Sequence, residues 1–324
     1  MYNGRVKPLD LQLLPDTQPR SKHSLLGSVR VWGEAIKFSH SIFALPFAVM
    51  AVFMAGRNIP GRGYPSIGQL GLVVICMVAA RSVAMTFNRI VDAGIDARNP
   101  RTAGRAIPAG LIGRNAAMVF LVLAIGVFGV GCLGFRAYYG NSWPLWLGGP
   151  VLLMLCGYSY AKRFTRWSHF YLGTAIALSP PAAWVAIHPD SLGWPALVLM
   201  AAVACWIAGF DIIYACQDID VDRRDGLFSL PSRSGPRAAL AVARACHVVT
   251  VVLLLVLGAV AGLGWVYLSG VVLVAVLLVV ENSLVHPGDY SRVNVAFFTV
   301  NGLVSLGLGI LAVADILLAM PAVW

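Results

Sequence analysis

Charged side chains are scarce in this chain. Asp, Glu, Lys and Arg make up 12% of its 324 residues, about half of the roughly 25% that soluble domains carry. Hydrophobic residues account for 59% of the sequence, and the mean hydropathy is +0.78. This composition excludes an ordinary soluble protein and predicts an integral membrane protein.

Several metal and catalytic patterns are also missing. The six cysteines include no C-x-x-C pair, and the six histidines include no H-x3-H spacing. We therefore expect neither a zinc site nor a disulfide framework, and we interpret the cysteines as small buried hydrophobic residues. The D-G-x2-A-R run of CDP-alcohol phosphotransferases is absent, which argues against that class of membrane enzyme.

Long apolar runs dominate the rest of the chain. A transmembrane helix needs about 17–25 such residues, and nine runs approach or reach that length. We assign residues 1–28 to a polar N-terminal segment and residues 29–324 to a single transmembrane domain. The sequence thus predicts an all-α integral membrane protein with nine spans, at about 38–56, 68–91, 113–134, 144–161, 169–187, 194–216, 238–261, 264–283 and 294–317.

Basic residues are concentrated in alternate connections. The N-terminal segment and the loops after spans 2, 4 and 6 hold most of them, whereas the loops after spans 5 and 7 hold none. Because positive loops stay on the cytoplasmic side, we predict a cytoplasmic N-terminus and location in the cell inner membrane. The formal net charge of +10 then belongs mainly to the cytoplasmic face, and we expect no nucleic-acid partner.

Two acidic clusters stand out against this background. They end spans 2 and 6, on the same predicted face, and hold seven of the 14 acidic residues. The first cluster consists of Asn88, Asp92 and Asp96. The second consists of Asp211, Asp218 and Asp222, with Asp220 and Asp225 beside it. Acids gathered at the membrane edge in two places favour a shared ligand site over surface solubility.

Helical spacing allows each cluster to face one cavity. Residues four apart differ by about 40° around a helix, and residues seven or eleven apart by about 20°, provided that the helices continue to these residues. Carboxylates so close repel one another unless a cation neutralises them, and Mg²⁺ binds carboxylate together with phosphate oxygens. We therefore predict a magnesium site that holds a phosphorylated ligand, with Asn88 as a further oxygen donor.

An alternative interpretation treats these acids as ordinary helix ends paired with arginines. Asp92 lies near Arg89 and Arg98, and Asp222 precedes Arg223 and Arg224. The occurrence of both clusters on one face favours the metal site. Asp220 and Asp225 lie off the helical stripe, so we expect them at solvated loop positions.

Other polar residues lie at the edge of the spans or inside them. Tyr158 and Lys162 end span 4, where the lysine is placed to contact a diphosphate; an interfacial Tyr and a snorkelling Lys are the alternative. Arg81 lies within span 2 on the face of Asn88, where it is placed to reach a carboxylate, a phosphate or an anionic co-substrate. Asn301 in span 9 is either a contact between helices or part of a pocket lining.

These motifs together resemble the UbiA family of membrane prenyltransferases. The family pattern N-x3-D-x3-D matches Asn88, Asp92 and Asp96, and D-x3-D matches Asp218 and Asp222. Further matches are Arg101, Thr102, Arg105, Pro108 and Gly110 to R-T-x2-R-x-[IL]-P-x-G, Phe210 to Asp218 to F-D-x2-Y-A-x2-D, and Tyr158 to Arg163 to Y-x3-K-R. The resemblance covers roughly residues 30–315.

The resemblance implies a nine-helix bundle whose central cavity opens to lipid and an enzyme that transfers a polyprenyl chain to an aromatic ring. It implies Mg²⁺ as cofactor, and as partners a polyprenyl diphosphate, an aromatic carboxylate and the bilayer. The implied catalytic residues are Asp92, Asp96, Asp211, Asp218 and Asp222. The implied metal ligands are Asn88, Asp92, Asp96, Asp218 and Asp222, and the implied diphosphate contacts are Tyr158, Lys162, Arg101 and Arg105. As contacts to the aromatic substrate we predict Arg81, Tyr214 and Asn301, with either Asp211 or a diphosphate oxygen taking the ring proton.

The identity of the acceptor stays open between two aromatic acids. The family's usual acceptor is 4-hydroxybenzoate, on the route to ubiquinone. The amino-acid sequences of segments such as 37–46 and 85–89 resemble those of a bacterial subgroup. That subgroup includes enzymes that prenylate 1,4-dihydroxy-6-naphthoate, on the futalosine route to menaquinone. A transporter is the remote alternative, since intramembrane acids also mark ion pathways; the clustering of the acids at one face argues against it.

Overall fold

The computed structural model describes residues 32–33 and 43–319. Between residues 43 and 319 it contains twelve α-helices and no β-strand. The helices are α1 Leu45–Gly56, α2 Ile67–Arg98, α3 Arg114–Tyr139, α4 Trp143–Ala161, α5 Ser168–Ala177, α6 Ser179–Ile187, α7 Trp194–Ala215, α8 Ile219–Arg224, α9 Leu230–Ser234, α10 Pro236–Ala261, α11 Trp265–Leu284 and α12 Asn301–Leu318. A π-helical turn, Val295–Val300, leads into α12.

Seven helical segments within the described residues are long and apolar enough to cross a membrane. They are Ile67–Arg98, Arg114–Tyr139, Ser168–Ile187, Trp194–Arg224, Pro236–Ala261, Trp265–Leu284 and Val295–Leu318. The predicted first and fourth spans correspond to α1, which has 12 residues, and to α4, which has Pro150 inside it. The all-helical membrane architecture is confirmed, whereas the number nine stays a prediction. The boundary at residue 28 and the start of the first predicted span lie outside the described residues.

The predicted fifth span is divided into two helices. Helix α5 ends at Ala177 and α6 begins at Ser179, with Pro180 at its first turn. Proline is tolerated there because the first amides of a helix have no partner within it. The break separates the cavity end of this span, which carries His169, from the opposite end of the bundle.

Helix α7 occupies the centre of the bundle. Among the seven candidate spans, the Trp194–Arg224 segment is the most buried: 61% of its most apolar 18-residue stretch lies inside the protein. Gly173 of α5 lies so close to α7 that a Cβ atom there would overlap the carbonyl oxygen of Ala204. At Gly209 a Cβ atom would overlap the imidazole ring of His247 on α10. Glycine thus lets the backbones of α5 and α7 approach closely at Gly173, as in other membrane bundles, and makes room for a buried ring at Gly209.

The outer surface of the bundle is apolar. Large hydrophobic side chains are exposed on α3, α10 and α11, among them Val130, Val248 and Val279. Such a surface is typical of helices that face lipid, because the lipid tails solvate it. The polar residues of the two acidic clusters therefore lie in a molecule whose sides are hydrophobic.

Candidate active site

The first acidic cluster lies on a single long helix. Helix α2 continues to Arg98, past the predicted end of its span at residue 91, so Asn88, Asp92 and Asp96 lie one turn apart on one face. The amide of Asn88 donates a hydrogen bond to Asp92 Oδ2 at 2.7 Å. This helical extension confirms the condition on which the predicted alignment of the first cluster depended.

The second cluster does not lie on one continuous helix. Helix α7 ends at Ala215, a 3-10 turn spans Cys216–Asp218, and α8 begins at Ile219. The prediction that Asp211, Asp218 and Asp222 lie along one face of a continuous helix is therefore wrong. The three carboxylates nevertheless line the same cavity.

Both clusters and several cations surround one cavity of about 220 Å³ at one end of the bundle. The wall includes the candidate metal, diphosphate and catalytic residues of the sequence analysis. Those residues are Asn88, Asp92, Asp96, Arg101, Arg105, Tyr158, Lys162, Asp211, Tyr214, Asp218 and Asp222. Residues far apart in the chain thus meet in one place, as the shared-site interpretation requires.

Three of the carboxylates in this wall are paired with arginines. Arg163 donates to Asp92 at 3.0 Å, and Arg105 donates to Asp96 at 2.6 Å. Arg101 donates to both oxygens of Asp218, at 3.0 and 2.6 Å. The interpretation of arginine-paired acids is thus correct for these residues. These three partners are loop arginines, and a fourth arginine, Arg89 on α2, lies with its Nη1 3.8 Å from Asp96 Oδ2.

Asp220 and Asp225, the acids expected at solvated loop positions, differ in their exposure to solvent. Asp220 is exposed, as expected. The side chain of Asp225 is only 6% exposed, because it accepts hydrogen bonds from Arg98 at 3.1 Å and Arg224 at 3.0 Å. The expectation of a solvated position is therefore wrong for Asp225. Its pair with Arg98 ties the end of α2 to the loop after α8.

One buried carboxylate oxygen of the cavity has no partner at all among the described residues. Asp222 Oδ2 has neither a hydrogen bond nor an ion pair, whereas Asp96 Oδ2 lacks a hydrogen bond but lies 3.8 Å from Arg89 Nη1. A buried acceptor without a partner is costly, and an added cation would satisfy Asp222 Oδ2. Three or more acidic, His or Cys side chains do not converge in ligating geometry anywhere in the described part of the chain, since three of the cavity acids are directed at arginines. The residues present fit a divalent ion, but the site is not preformed.

Two cations keep their charge in this acidic cavity. Lys162 follows α4, is half-buried, and forms no ion pair with another described residue. Burial acts to lower the pKa of this lysine, but the carboxylates of Asp222, Asp211 and Asp218 outweigh it and raise the pKa above its ordinary value. Burial likewise opposes the charge of Arg101, and its hydrogen bonds to Asp218 raise its pKa overall.

A buried histidine that was not predicted from the sequence adjoins the cavity. His169 Nδ1 lies 2.6 Å from Asp211 Oδ2, and its side chain is fully buried. The two residues are 42 positions apart in the chain. A lone histidine carries no spacing signal, so only the packing of α5 against α7 reveals the pair.

The three predicted contacts to the aromatic substrate lie in different places. Tyr214 lines the cavity, and its hydroxyl accepts a hydrogen bond from Arg101 at 2.9 Å. Arg81 is not part of the lining, and its Nε is buried without a partner among the described residues. Asn301 is also outside the lining: it accepts from Trp206 at 2.7 Å and donates to Glu281 at 2.7 Å. Its geometry is that of a contact between helices.

The fold and the cavity are those of a membrane enzyme in which apolar helices surround a charged site. The UbiA prenyltransferase family model matches residues 44–303, and the chain belongs to this family. The family and the enzyme class expected from the sequence are thereby confirmed.

Bacterial relatives carry a more specific name. The chain is 31% identical over 237 residues to a 4-hydroxybenzoate octaprenyltransferase of Edwardsiella ictaluri, covering 72% of this chain and 78% of the relative. It is 30% identical over 172 residues to the protein of the same name from Serratia proteamaculans, covering 53% of this chain. That second match spans 57% of the relative's length.

Solved structures show the same fold. A UbiA homologue from Aeropyrum pernix K1 superposes with a TM-score of 0.75 at 28% identity, covering 85% of this chain and 98% of that one. A UbiA homologue from Archaeoglobus fulgidus, bound to GPP and Mg²⁺, gives a TM-score of 0.67 at 16% identity, with 88% and 99% coverage. At that lower identity the likeness extends to the fold alone.

Proposed function

We propose that this protein transfers a polyprenyl chain from polyprenyl diphosphate to the ring of 4-hydroxybenzoate, in a Mg²⁺-dependent reaction. The observation that carries the proposal is the single cavity in which four candidate metal carboxylates alternate with Arg101, Arg105, Arg163 and Lys162. Such a cavity suits a ligand with several negative charges and a bound cation. The names of the bacterial relatives support the aromatic acceptor.

The residues that would hold Mg²⁺ are Asn88, Asp92, Asp96, Asp218 and Asp222, together with oxygens of the diphosphate. The unpartnered oxygen of Asp222 fits this role, and the Archaeoglobus structure shows that its own protein binds Mg²⁺ with a prenyl diphosphate. When bound, the ion supplies positive charge that stabilises the departing diphosphate.

The protein's own cations bind and orient the diphosphate. Arg101 offers a planar group suited to two phosphate oxygens, and Lys162 acts as a point charge beside it. Both are charged in the cavity, as their raised pKa values indicate. Charge that develops on the leaving group is stabilised by groups already in place, which lowers the barrier to breaking the C–O bond.

Aromatic side chains line the way from the charged groups to the apolar core. The rings of Tyr214 and Phe297 lie 4.2 Å apart, and Phe297 contacts Phe210 at 5.2 Å. Ring faces stabilise an allylic cation and exclude water from it. The acceptor ring then attacks the prenyl carbon, and Asp211, which lines the same cavity, takes the ring proton.

We also propose that this cavity faces the cytoplasm. The loops at the cavity end carry Arg101, Arg105, Arg163 and Arg166, which the positive-inside rule places on the cytoplasmic side. Labelling of single cysteines introduced at residues 104 and 141, with a reagent that does not cross the membrane, tests this orientation.

Product analysis by mass spectrometry tests the activity. Purified protein is incubated with Mg²⁺, a polyprenyl diphosphate, and equal amounts of 4-hydroxybenzoate and 1,4-dihydroxy-6-naphthoate. A prenylated benzoate supports the proposal, and a prenylated naphthoate replaces it with the futalosine-route activity that segments such as 37–46 favour. Absence of both products from folded protein would contradict both acceptor assignments.

A further inference from the structure

The histidine behind Asp211 is held from two sides. His169 Nδ1 lies 2.6 Å from Asp211 Oδ2, and its Nε2 accepts a hydrogen bond from the backbone N–H of Leu230 at 3.3 Å. The amide donor requires a lone pair on Nε2, so the network assigns the ring hydrogen to Nδ1, which donates to Asp211. Reciprocal hydrogen bonds between Ser229 and Ser232 fix the start of α9 and hence the position of the Leu230 amide.

The approach of α5 to α7 makes this pair short. Gly173 lies one turn after His169 on α5, and it contacts the α7 backbone at Ala204 without space for a Cβ atom. The missing side chain brings the two helices together on the face that carries His169. The histidine is fully buried, whereas the side chain of Asp211 remains 19% exposed to the cavity.

Asp211 differs from the paired acids of the cavity in the charge of its partner. Asp92, Asp96 and Asp218 each accept from an arginine, whose permanent positive charge neutralises the carboxylate. Asp211 accepts from a neutral imidazole, which orients the carboxylate without neutralising it. The imidazole itself is a poor proton acceptor, because the Leu230 amide occupies its Nε2 lone pair.

We propose that His169 is a positioning residue that directs the free oxygen of Asp211 at the ring proton of the acceptor; this inference rests on the proposed prenyl transfer. In the reaction, the bond between the prenyl carbon and the diphosphate oxygen breaks, and a bond forms between that carbon and the ring. The ring proton then passes to Asp211 Oδ1, and the electrons of its C–H bond restore the aromatic ring. No oxidant or further reactant is needed.

Two substitutions separate this positioning role from a packing role. His169→Asn retains a hydrogen-bond donor near the position of Nδ1. His169→Leu keeps a side chain of comparable volume but removes the donor. We expect His169→Leu to lower kcat about 10–100-fold, as loss of an orienting partner typically does, with KM for the prenyl diphosphate unchanged. His169→Asn should recover most of the lost rate, and His286→Leu, at an exposed position, should change neither constant.

The isotope effect on the ring hydrogen provides a readout that loss of packing would not move. With 4-hydroxybenzoate deuterated at the ring positions beside the hydroxyl, proton removal should become slower and partly rate-limiting in His169→Leu. The ratio of rates for protonated and deuterated acceptor should therefore rise in that variant and return towards the wild-type value in His169→Asn. An equal ratio in all three proteins, or an undiminished kcat in His169→Leu, would overturn the proposal.

A spectroscopic measurement keeps this test separate from the identity of the acceptor. In ¹⁵N-histidine-labelled protein in detergent micelles, we expect a hydrogen-bonded Nδ1 proton signal that is lost in His169→Asn and shifted in Asp211→Leu. If the wild type prenylates only the naphthoate, the isotope comparison is made with that acceptor. If it prenylates neither, the proposed function fails, and an Nδ1 proton that does not respond to Asp211→Leu overturns the pairing as well.

Discussion

Arg101 and Asp218 form a two-point ion pair that joins the two halves of the cavity. Arg101 Nε lies 3.0 Å from Asp218 Oδ1, and Nη2 lies 2.6 Å from Oδ2. A third donor, the amide of Asn99, reaches Oδ1 at 3.0 Å. The pair connects the loop after α2 with the turn after α7, and together with the Asn99 amide and the Arg98–Asp225 pair it fixes the two acidic clusters relative to each other.

The geometry of this pair predicts the effect of Arg101→Lys. Lysine keeps the charge but cannot make two parallel hydrogen bonds to a carboxylate or a phosphate. We expect kcat/KM for the polyprenyl diphosphate to fall about 10–100-fold, the loss of roughly 1.4–2.7 kcal/mol of transition-state stabilisation. Steady-state kinetics measure it. Arg166→Lys is the matched control, because Arg166 is an exposed arginine near Trp167; equal kinetics in the two variants would contradict the assignment.

Asp222 and Asp220 offer a matched pair for testing the metal site. Both lie on α8, but Asp222 is buried with an unpartnered oxygen and Asp220 is exposed. Asp222→Asn removes a charged oxygen ligand, so we expect a large increase in the Mg²⁺ concentration needed for half-maximal activity and a loss of at least about 100-fold in kcat/KM. Asp220→Asn makes the same change in net charge and should leave the Mg²⁺ titration unaltered. Identical titrations would remove Asp222 from the metal site.

The raised pKa of Lys162 predicts how activity depends on pH. A raised pKa means that Lys162 in the folded protein stays protonated at pH values above the ordinary lysine pKa of about 10.4. Its charge is therefore fully present at neutral pH and is lost only as the pH rises through the raised value. We expect no alkaline decrease in kcat/KM from this lysine between about pH 7 and pH 10, and a lower rate at every pH in Lys162→Gln.

The control for that experiment is Lys162→Arg, which keeps a cation at all accessible pH values. Its pH profile should have the same shape as that of the wild type. A wild-type decrease near pH 8 that disappears in Lys162→Arg would show that burial, rather than the surrounding carboxylates, determines the lysine pKa.

Residue spacing predicted most of the candidate site because its signals are local. The four-residue repeat of Asn88, Asp92 and Asp96 requires only that one helix continue, and α2 does so. The second cluster was harder, since the chain leaves the α-helix at Cys216. No Pro or Gly marks this break, so the sequence pattern carries no signal for it.

Pairs that depend on packing could not be predicted. Arg101 and Asp218 are 117 residues apart, and His169 and Asp211 are 42 apart; no periodicity links such positions. Asn301 of span 9 shows a second kind of limit, in which one position has two possible roles. Its two possible roles, helix contact and pocket lining, look identical in sequence, and only the positions of Trp206 and Glu281 around Asn301 distinguish them.

The buried network around Asn301 predicts a stability change without a change in substrate binding. Asn301→Leu leaves the buried Glu281 Oε1 and the Trp206 N–H without these partners. Each unsatisfied buried group costs about 1–3 kcal/mol, so we expect a clearly lower unfolding temperature in detergent and an unchanged KM for the aromatic acceptor. Asn294→Leu, at an exposed position, should have little effect on unfolding. A selective increase in acceptor KM would restore Asn301 to the substrate pocket.

Gly173 connects helix packing with the chemistry of the cavity. A methyl group at this position would overlap the carbonyl oxygen of Ala204, so Gly173→Ala must push α5 away from α7. Overpacking of this kind costs about 1–3 kcal/mol, and the same displacement lengthens the 2.6 Å contact between His169 and Asp211. We therefore expect a lower unfolding temperature and a lower kcat, measured on the same preparation by thermal unfolding and product formation.

The control for this substitution is Gly126→Ala on α3, where an added Cβ meets nothing within 4 Å. Alanine there gains about 1 kcal/mol of intrinsic helix propensity, so stability should rise or stay constant and kcat should not change. If Gly173→Ala lowers stability but leaves kcat intact, α5 supports the bundle without determining the position of Asp211. If both fall together while Gly126→Ala is neutral, the close approach of α5 and α7 is what places the carboxylate in the cavity.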